Sequence, residues 1–206
     1  MVGVLLSGGL DSVVLLHDII DIHGADKVTA IAFDYGQRHR KELECAEYWI
    51  EKFSLPSVKV PMGFLGSIVG EASLLGASED LAKSYVPFRN MIFLSISLSI
   101  AESRGLDMLA YGAHADDEHG YWDCRDEFVN AVQHIANMSG KKIYLYTPYL
   151  HEPKSFIILE GKRLGVDFSH TWSCYLGGEK PCGECPTCCV RKKAFEEANT
   201  VDPLTL

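Results

Sequence analysis

The stretch Val2-Gly3-Val4-Leu5-Leu6-Ser7-Gly8-Gly9-Leu10-Asp11-Ser12-Val13 decides how the chain is read. Val2–Leu6 is a short β-branched and apolar run that suits a buried strand, Ser7–Ser12 is a loop, and Val13–His23 reads as a helix closed by Gly24. A strand that passes through glycines into a helix makes an anion site. The glycines let the backbone turn tightly and offer its N–H groups, and the helix N-terminus adds a favourable field. Ser7 and Ser12 can donate hydroxyl hydrogen bonds to phosphate oxygens, and Asp11 can cap the helix or help to hold Mg²⁺. An ordinary strand–helix turn uses the same residue types, but the place after the first strand and the two flanking hydroxyls favour phosphate. Neither the G-x-x-x-x-G-K-S/T loop nor the G-x-G-x-x-G dinucleotide fingerprint is present.

Outward from this loop, strands and helices alternate. Val28–Phe33 and Ser57–Val60 read as strands. Between them Leu43, Ala46, Ile50 and Phe53 recur at helical spacing, with Glu42, Glu44, Glu47 and Glu51 assigned to the outer face. Gly63–Tyr85 lacks a clean period and reads as an excursion, a lid or a broken helix. Asn90–Ser103 follows as an apolar helix, then a strand at Asp107–Tyr111, a helix around Phe128–Ala136, a strand at Ile143–Tyr146 and a helix opened by Pro153. Alternation of this kind implies βαβ units and a doubly wound parallel sheet, an α/β fold. The expected division is a nucleotide-binding domain over residues 1–167 and a cysteine-rich tail over 168–206 packed on it.

Composition narrows the function classes. The 206 residues are 47% hydrophobic and 23% charged, which suits one domain with a sizeable core. A formal charge of −9 argues against a broad phosphate-tracking surface, and so against a nucleic-acid partner, while leaving room for a local basic pocket. The longest apolar stretch, Met91–Ala101, is broken by serines and is shorter than the ~20 residues a membrane helix needs. The N-terminus enters the glycine loop without a basic n-region or cleavage site, so a signal peptide is not expected and a cytoplasmic location is.

Seven cysteines make an odd count, and a reducing compartment disfavours a disulfide framework. Cys174, Cys182, Cys185 and Cys188 supply four thiolates at short spacings, with Gly177, Gly178 and Gly183 permitting sharp turns. Such a set suits a closed tetrahedral Zn²⁺ site. An iron–sulfur cluster competes, because spacing alone does not separate the two. Cys189, adjacent to Cys188, is surplus.

The Ser7–Ser12 segment resembles the SGGxDS loop of the ATP pyrophosphatases. Four further segments make the resemblance narrower: Phe33–His39 (FDYGQRH), Val86–Asn90 (VPFRN), Gly120–Arg125 (GYWDCR) and Thr171–Tyr175 (TWSCY). Together with the loop and the PCGECPTC cluster they look like the 7-cyano-7-deazaguanine synthase family, from about Val4 to Phe195. The resemblance implies an adenine-nucleotide alpha-hydrolase fold, ATP with Mg²⁺ as cosubstrate, and one structural zinc on Cys174, Cys182, Cys185 and Cys188. It also implies a homodimer. The implied reaction adenylates 7-carboxy-7-deazaguanine, lets ammonium supply an amide nitrogen, and spends a second ATP to reach the nitrile.

On that footing Ser7, Gly8, Gly9, Leu10, Asp11 and Ser12 are the expected nucleotide contacts. Arg38, Arg89 and Arg125 are candidates to hold carboxylate or phosphate, since guanidinium pairs with both in a bidentate fashion. Asp123 is suited to accept hydrogen bonds from guanine N–H groups, and Lys154, at a helix start, is aimed at phosphate. Asp116 is a candidate for Mg²⁺, His39 and His119 for proton transfer, and Cys124 for the substrate wall. Phe88 and Trp122 depart from the family pattern, standing where bacterial synthases usually have Gly and Pro. Both are expected to face the substrate, where they could stack on a deazapurine. This keeps a second enzymatic reading open, a ligase joining the deazaguanine carboxylate to an amine of a protein or other acceptor. Pyrophosphate-loop tRNA sulfurtransferases share the loop but need RNA-binding surface. A non-catalytic, zinc-stabilised nucleotide-binding module is the plainest alternative.

Overall fold

The computed structural model describes residues 1–37, 40–69, 85–118 and 122–205. Among them, strands β1 (Val2–Leu5), β2 (Val28–Asp34), β3 (Ser57–Pro61), β4 (Met108–Ala110) and β5 (Tyr144–Tyr146) pair in the order β3-β2-β1-β4-β5. Every pairing is parallel. The doubly wound α/β sheet expected from the alternation is therefore the fold.

Alternate residues of each inner strand serve opposite faces. Val2 and Val4 of β1, with Val28 and Ala30 of β2, join one buried cluster, while Ile31 and Phe33 of β2 join the other. Helices α1 (Leu10–His23), α2 (Lys41–Lys52), α7 (Lys154–Arg163) and α8 (Pro186–Glu197) cover the first face. Helices α4 (Arg89–Arg104) and α6 (Asp126–Met138) cover the second. The short helices α3 (Leu65–Val69) and α5 (Ala115–Glu118) lie in the connections. Of the excursion at Gly63–Tyr85, α3 is described, and residues 70–84 lie outside the described set, as do Arg38, His39, His119, Gly120 and Tyr121.

Helix α1 begins at Leu10, three residues before its expected start, because Gly9 caps it in an extended conformation and its carbonyl accepts from Val13 N at 3.1 Å. Every residue from Val13 to Leu16 is buried, so this helix lies between the sheet and α7 instead of on the surface.

The tail contributes to the same core. Phe168, Ala194 and Phe195 pack with the α1 residues. Buried Arg191 ties the segment together: its Nε donates to Asp202 Oδ2 at 2.7 Å, its Nη2 to Asp202 Oδ1 at 2.9 Å, and its Nη1 to Thr171 Oγ1 at 2.8 Å.

The strand order reverses about β1, whose neighbours β2 and β4 run on to opposite sides of the sheet. In open parallel sheets such a switch point leaves a crevice beyond the carboxyl ends of the strands. Here β1 runs into Ser7 and β4 into Tyr111. No described helix is long and apolar enough to cross a membrane.

Candidate active site

A cavity of about 390 Å³ opens in that crevice. The glycine loop forms its floor, Tyr35 and Phe93 one wall, Asp123 and Cys124 another, and Trp172, Ser173 and Tyr175 a third.

The loop is held by its own hydroxyls. Ser12 Oγ accepts from the backbone N–H groups of Ser7 at 3.2 Å and Gly8 at 3.3 Å, and donates to Gly9 O at 3.0 Å. Ser12 is thus buried at the hub of the turn, while Ser7, which accepts from Gly9 N at 3.1 Å, is exposed to the cavity. The opening amides of α1 precede its first i→i−4 bond and have no intrahelical acceptor, so they remain available to an anion. Gly8 has φ +90°, and a Cβ there would collide with the carbonyl oxygen of Glu42. The loop and the first turn of α2 approach so closely that only glycine fits.

Asp11 stands in the first turn of α1, one residue inside its start, with Gly9 at the cap position. Its Oδ2 accepts from Lys154 Nζ at 2.8 Å, and His114 Nε2 stands 3.7 Å from the same oxygen and 3.4 Å from that Nζ. Burial alone would raise the Asp11 pKa; Lys154 and His114 outweigh it and hold the carboxyl below its ordinary value. Lys154 is itself buried, lines the cavity, and sits at the opening of α7, where the helix field disfavours a cation. Asp116, the candidate for Mg²⁺, turns its Oδ2 to Lys154 N at 2.9 Å and so caps α7.

At the other end, Arg89 enters from the first turn of α4, where its charge also opposes the helix field and is offered to the cavity. Its guanidinium lies 5.7 Å from the Tyr35 ring centre. Burial lowers its pKa, but Tyr35, Tyr175, Tyr111 and Glu42 together carry it above its ordinary value. Asp123 is buried across the cavity. Phe33 and Phe93 stack with ring centres 4.2 Å apart, and Phe93, Tyr35 tilted 54° to it, and the Gln37 side chain make that side a largely aromatic wall. Phe93 and Gln37 are site residues that the sequence reading missed. Phe93 was hidden in an evenly apolar helix, whereas Gln37 lay within a segment already singled out.

Of the remaining candidates, Arg125 is exposed and lies outside the cavity lining, Cys124 lines it, and Arg38 is outside the described residues. Phe88 and Trp122 were expected to face the substrate, yet neither lines the cavity. They face each other at 5.2 Å, and the Trp122 indole N–H donates to Tyr85 Oη at 3.0 Å. The two departures from the family pattern are therefore one contact, joining the segment that carries Arg89 to the one that carries Asp123. Phe88 has φ 54°, a left-handed conformation in which glycine is unstrained and phenylalanine is not.

Glu42 corrects the reading of α2. It was placed on the outer face with Glu44, Glu47 and Glu51, which are exposed. Glu42 instead lines the cavity. The signal was present, since 42, 46, 49 and 53 follow the i, i+4, i+7, i+11 stripe that buries Ala46 and Trp49. Burial raises its carboxyl to about 7, against the opposing pull of Arg89 and Lys154, and Asp11 adds to the rise.

The four cysteines converge. Their sulfur atoms all lie within 4.8 Å of one another, and Cys182 Sγ is 3.9 Å from Cys188 Sγ. Four thiolates on one ion at ~2.3 Å bonds stand about 3.8 Å apart, so the set fits a single tetrahedral metal. Backbone N–H groups of Cys182 and Cys185 donate to Cys174 Sγ at 3.4 Å and Cys182 Sγ at 3.3 Å, as suits thiolate acceptors. Cys189 is exposed and outside the set. This knuckle adjoins the cavity: Trp172 N donates to Gly8 O at 3.1 Å, and Thr187 Oγ1 to Ser173 O at 2.7 Å.

A parallel sheet, a glycine turn opening a helix at the switch point and a cysteine knuckle beside it define an α/β domain of the ATP pyrophosphatase type. The particular family follows from comparison with known proteins. The family profile described as "Queuosine biosynthesis protein QueC" matches residues 2–199, and the chain belongs to that family. The 7-cyano-7-deazaguanine synthase of Methanoregula boonei is 41% identical, covering 97% of this chain and 96% of that protein. The protein of the same name from Caldicellulosiruptor saccharolyticus is 41% identical over 98% of this chain and 93% of its own length. Among solved structures, the U34-tRNA thiolase NcsA from Methanococcus maripaludis with its 4Fe-4S cluster superposes with a TM-score of 0.53 at 17% identity. The match covers 96% of this chain and 64% of the thiolase, and the likeness is one of fold.

Proposed function

We propose that the chain converts 7-carboxy-7-deazaguanine, ammonia and two ATP into 7-cyano-7-deazaguanine, two AMP and two pyrophosphate. The observation that carries this reading is the single cavity with the glycine loop at one end and Arg89 and Asp123 at the other. The family membership and the names of the relatives support it. In this reading the Ser7–Ser12 loop and the opening amides of α1 hold the β- and γ-phosphates, and Lys154 neutralises charge as pyrophosphate leaves. The aromatic wall of Phe93 and Tyr35 receives a planar base, Asp123 accepts its N–H groups, and Arg89 orients the carboxylate towards the α-phosphate.

The carboxylate oxygen attacks the α-phosphorus and pyrophosphate leaves. Ammonia then displaces AMP to give the amide. In a second cycle the amide oxygen attacks, and loss of AMP leaves the nitrile. The cysteine knuckle takes Zn²⁺ in this reading. A cluster that spreads four thiolates over separate irons needs them farther apart than thiolates sharing one ion. A closed four-thiolate site leaves zinc no open position for catalysis, so its part is structural.

The test is mass spectrometry of the products formed from the purified protein with ATP, Mg²⁺, 7-carboxy-7-deazaguanine and ammonium. Nitrile with AMP is the expected result. Amide as the end product, or no AMP at all, overturns the reading.

A further inference from the structure

Glu42 stands out among the titratable groups of the cavity because the roles above leave it unused. Its carboxylate lines the cavity, and Oε1 lies 3.9 Å from where a side chain would begin on Gly9, directly over the turn into α1. Among the described residues it takes part in no ion pair, although the charges of Arg89 and Lys154 both act on it. The groups facing it are Asp11 of α1, Arg89 of α4, Lys154 of α7, Tyr35 after β2, and Cys45 on its own helix. Asp11 is already engaged with Lys154, and burial keeps the Tyr35 and Cys45 protons in place well above neutral pH. Burial beside the loop opens the Glu42 carboxyl to a change of charge state near neutrality.

We infer that Glu42 is the proton acceptor for the reacting nitrogen. This rests on the proposed reaction. When ammonia attacks the adenylated carboxylate, the C–N bond forms, the C–O bond to AMP breaks and its electron pair leaves with AMP. The nitrogen must then shed one proton, which the Glu42 carboxylate takes. In the second cycle the amide nitrogen loses a proton as the adenylated imidate forms. It loses its last as the C–O bond to AMP breaks and the C≡N bond closes. Glu42 takes each in turn and returns it to water through the cavity between stages. A base with a proton affinity near the working pH is best matched to both accepting and releasing, and such catalysis contributes about 10²–10⁴-fold. Burial beside the loop, with two cations at a distance instead of in contact, gives Glu42 that property.

The experiment compares the wild-type metal-loaded protein with Glu42→Gln and Glu42→Asp across pH, at fixed free ammonia so that the nucleophile does not itself titrate. Pyrophosphate release without ammonia reports the first adenylation, and nitrile formation reports the proton-dependent stages. The inference predicts a wild-type kcat that rises with pH through about 7 and then levels, because only the ionised carboxylate accepts a proton. It predicts that Glu42→Gln lowers kcat for nitrile by ~100-fold or more and loses this limb, with the pyrophosphate burst and the KM for ATP unchanged. Glu42→Asp recovers part of the rate and the limb, which also shows that loss in the Gln variant is not misfolding. An unchanged kcat and limb in Glu42→Gln overturns the inference. So does a lost burst or a raised Mg²⁺ requirement, which would make Glu42 a nucleotide or metal contact. No burst from the wild-type protein with this substrate would instead bring down the proposed reaction.

Discussion

Glu42 and Phe88 are the residues at which local geometry makes the clearest demands. The Glu42 carboxyl has an ordinary pKa of 4.5 and is raised to about 7 in the fold. Between those values the folded chain binds more protons than the unfolded one, so stability falls as pH rises through the window. At pH 8 the penalty is at most about 3 kcal/mol. Glu42→Gln removes it, and the expected outcome is a variant more stable than wild type at pH 8 and no more stable at pH 4, read from urea denaturation at the two pH values. Phe88 holds a left-handed backbone and a ring contact with Trp122. Left-handed strain is about 1–2 kcal/mol and an aromatic pair about 0.5–1.5 kcal/mol. Phe88→Gly relieves the first while losing the second, so its stability should differ from wild type by less than about 1.5 kcal/mol. Phe88→Ala loses the pair and keeps strain, and thermal unfolding should show it to be the less stable variant. The opposite ranking would mean that the left-handed strain is not what sets Phe88 apart.

The cysteine knuckle and the glycine loop are separate in sequence and joined in space. Trp172 N bonds Gly8 O at 3.1 Å, and the Trp172 indole N–H bonds Cys174 O at 2.9 Å, so one residue touches both the loop and a thiolate-bearing segment. Stripping the proposed zinc with a chelator should release that segment and the hydrogen bond on Gly8. Loss of one such bond is ~1–1.5 kcal/mol, which corresponds to ATP binding weakened about tenfold, measurable by calorimetry. Unchanged ATP affinity in the stripped, folded protein would mean that the knuckle does not position the loop. The cysteine set itself was legible because four thiolates at short spacings have few other uses. Helix α2 was legible only in part. Its apolar residues marked the buried face, but a glutamate on that face carries no hydrophobic signal. Only the position of Glu42 in the 42, 46, 49, 53 stripe reveals it.

For the whole molecule, the α/β class followed from alternation, and the loop from its glycines and hydroxyls. The assembly of the cavity was much less accessible. Lys154 bonds Asp11 across 143 residues and Arg89 reaches Tyr35 across 54, partnerships set by strand order and helix crossover and not by any local spacing. The pairing of Phe88 with Trp122 is of the same kind: each looked like a substrate contact in its own segment, and only the fold shows that they meet. The molecule that results brings Arg89 and Lys154 to one crevice of a chain with a net charge of −9, at the point where the sheet order reverses. In the proposed reaction one cavity activates the same carbon twice through an oxygen bonded to AMP. The most direct measurement uses 7-carboxy-7-deazaguanine labelled with ¹⁸O at both carboxylate oxygens, with the label followed by mass spectrometry. The proposed reaction gives two AMP per nitrile, each carrying one labelled oxygen. Label in pyrophosphate or water, or a product that retains a labelled oxygen, would contradict it.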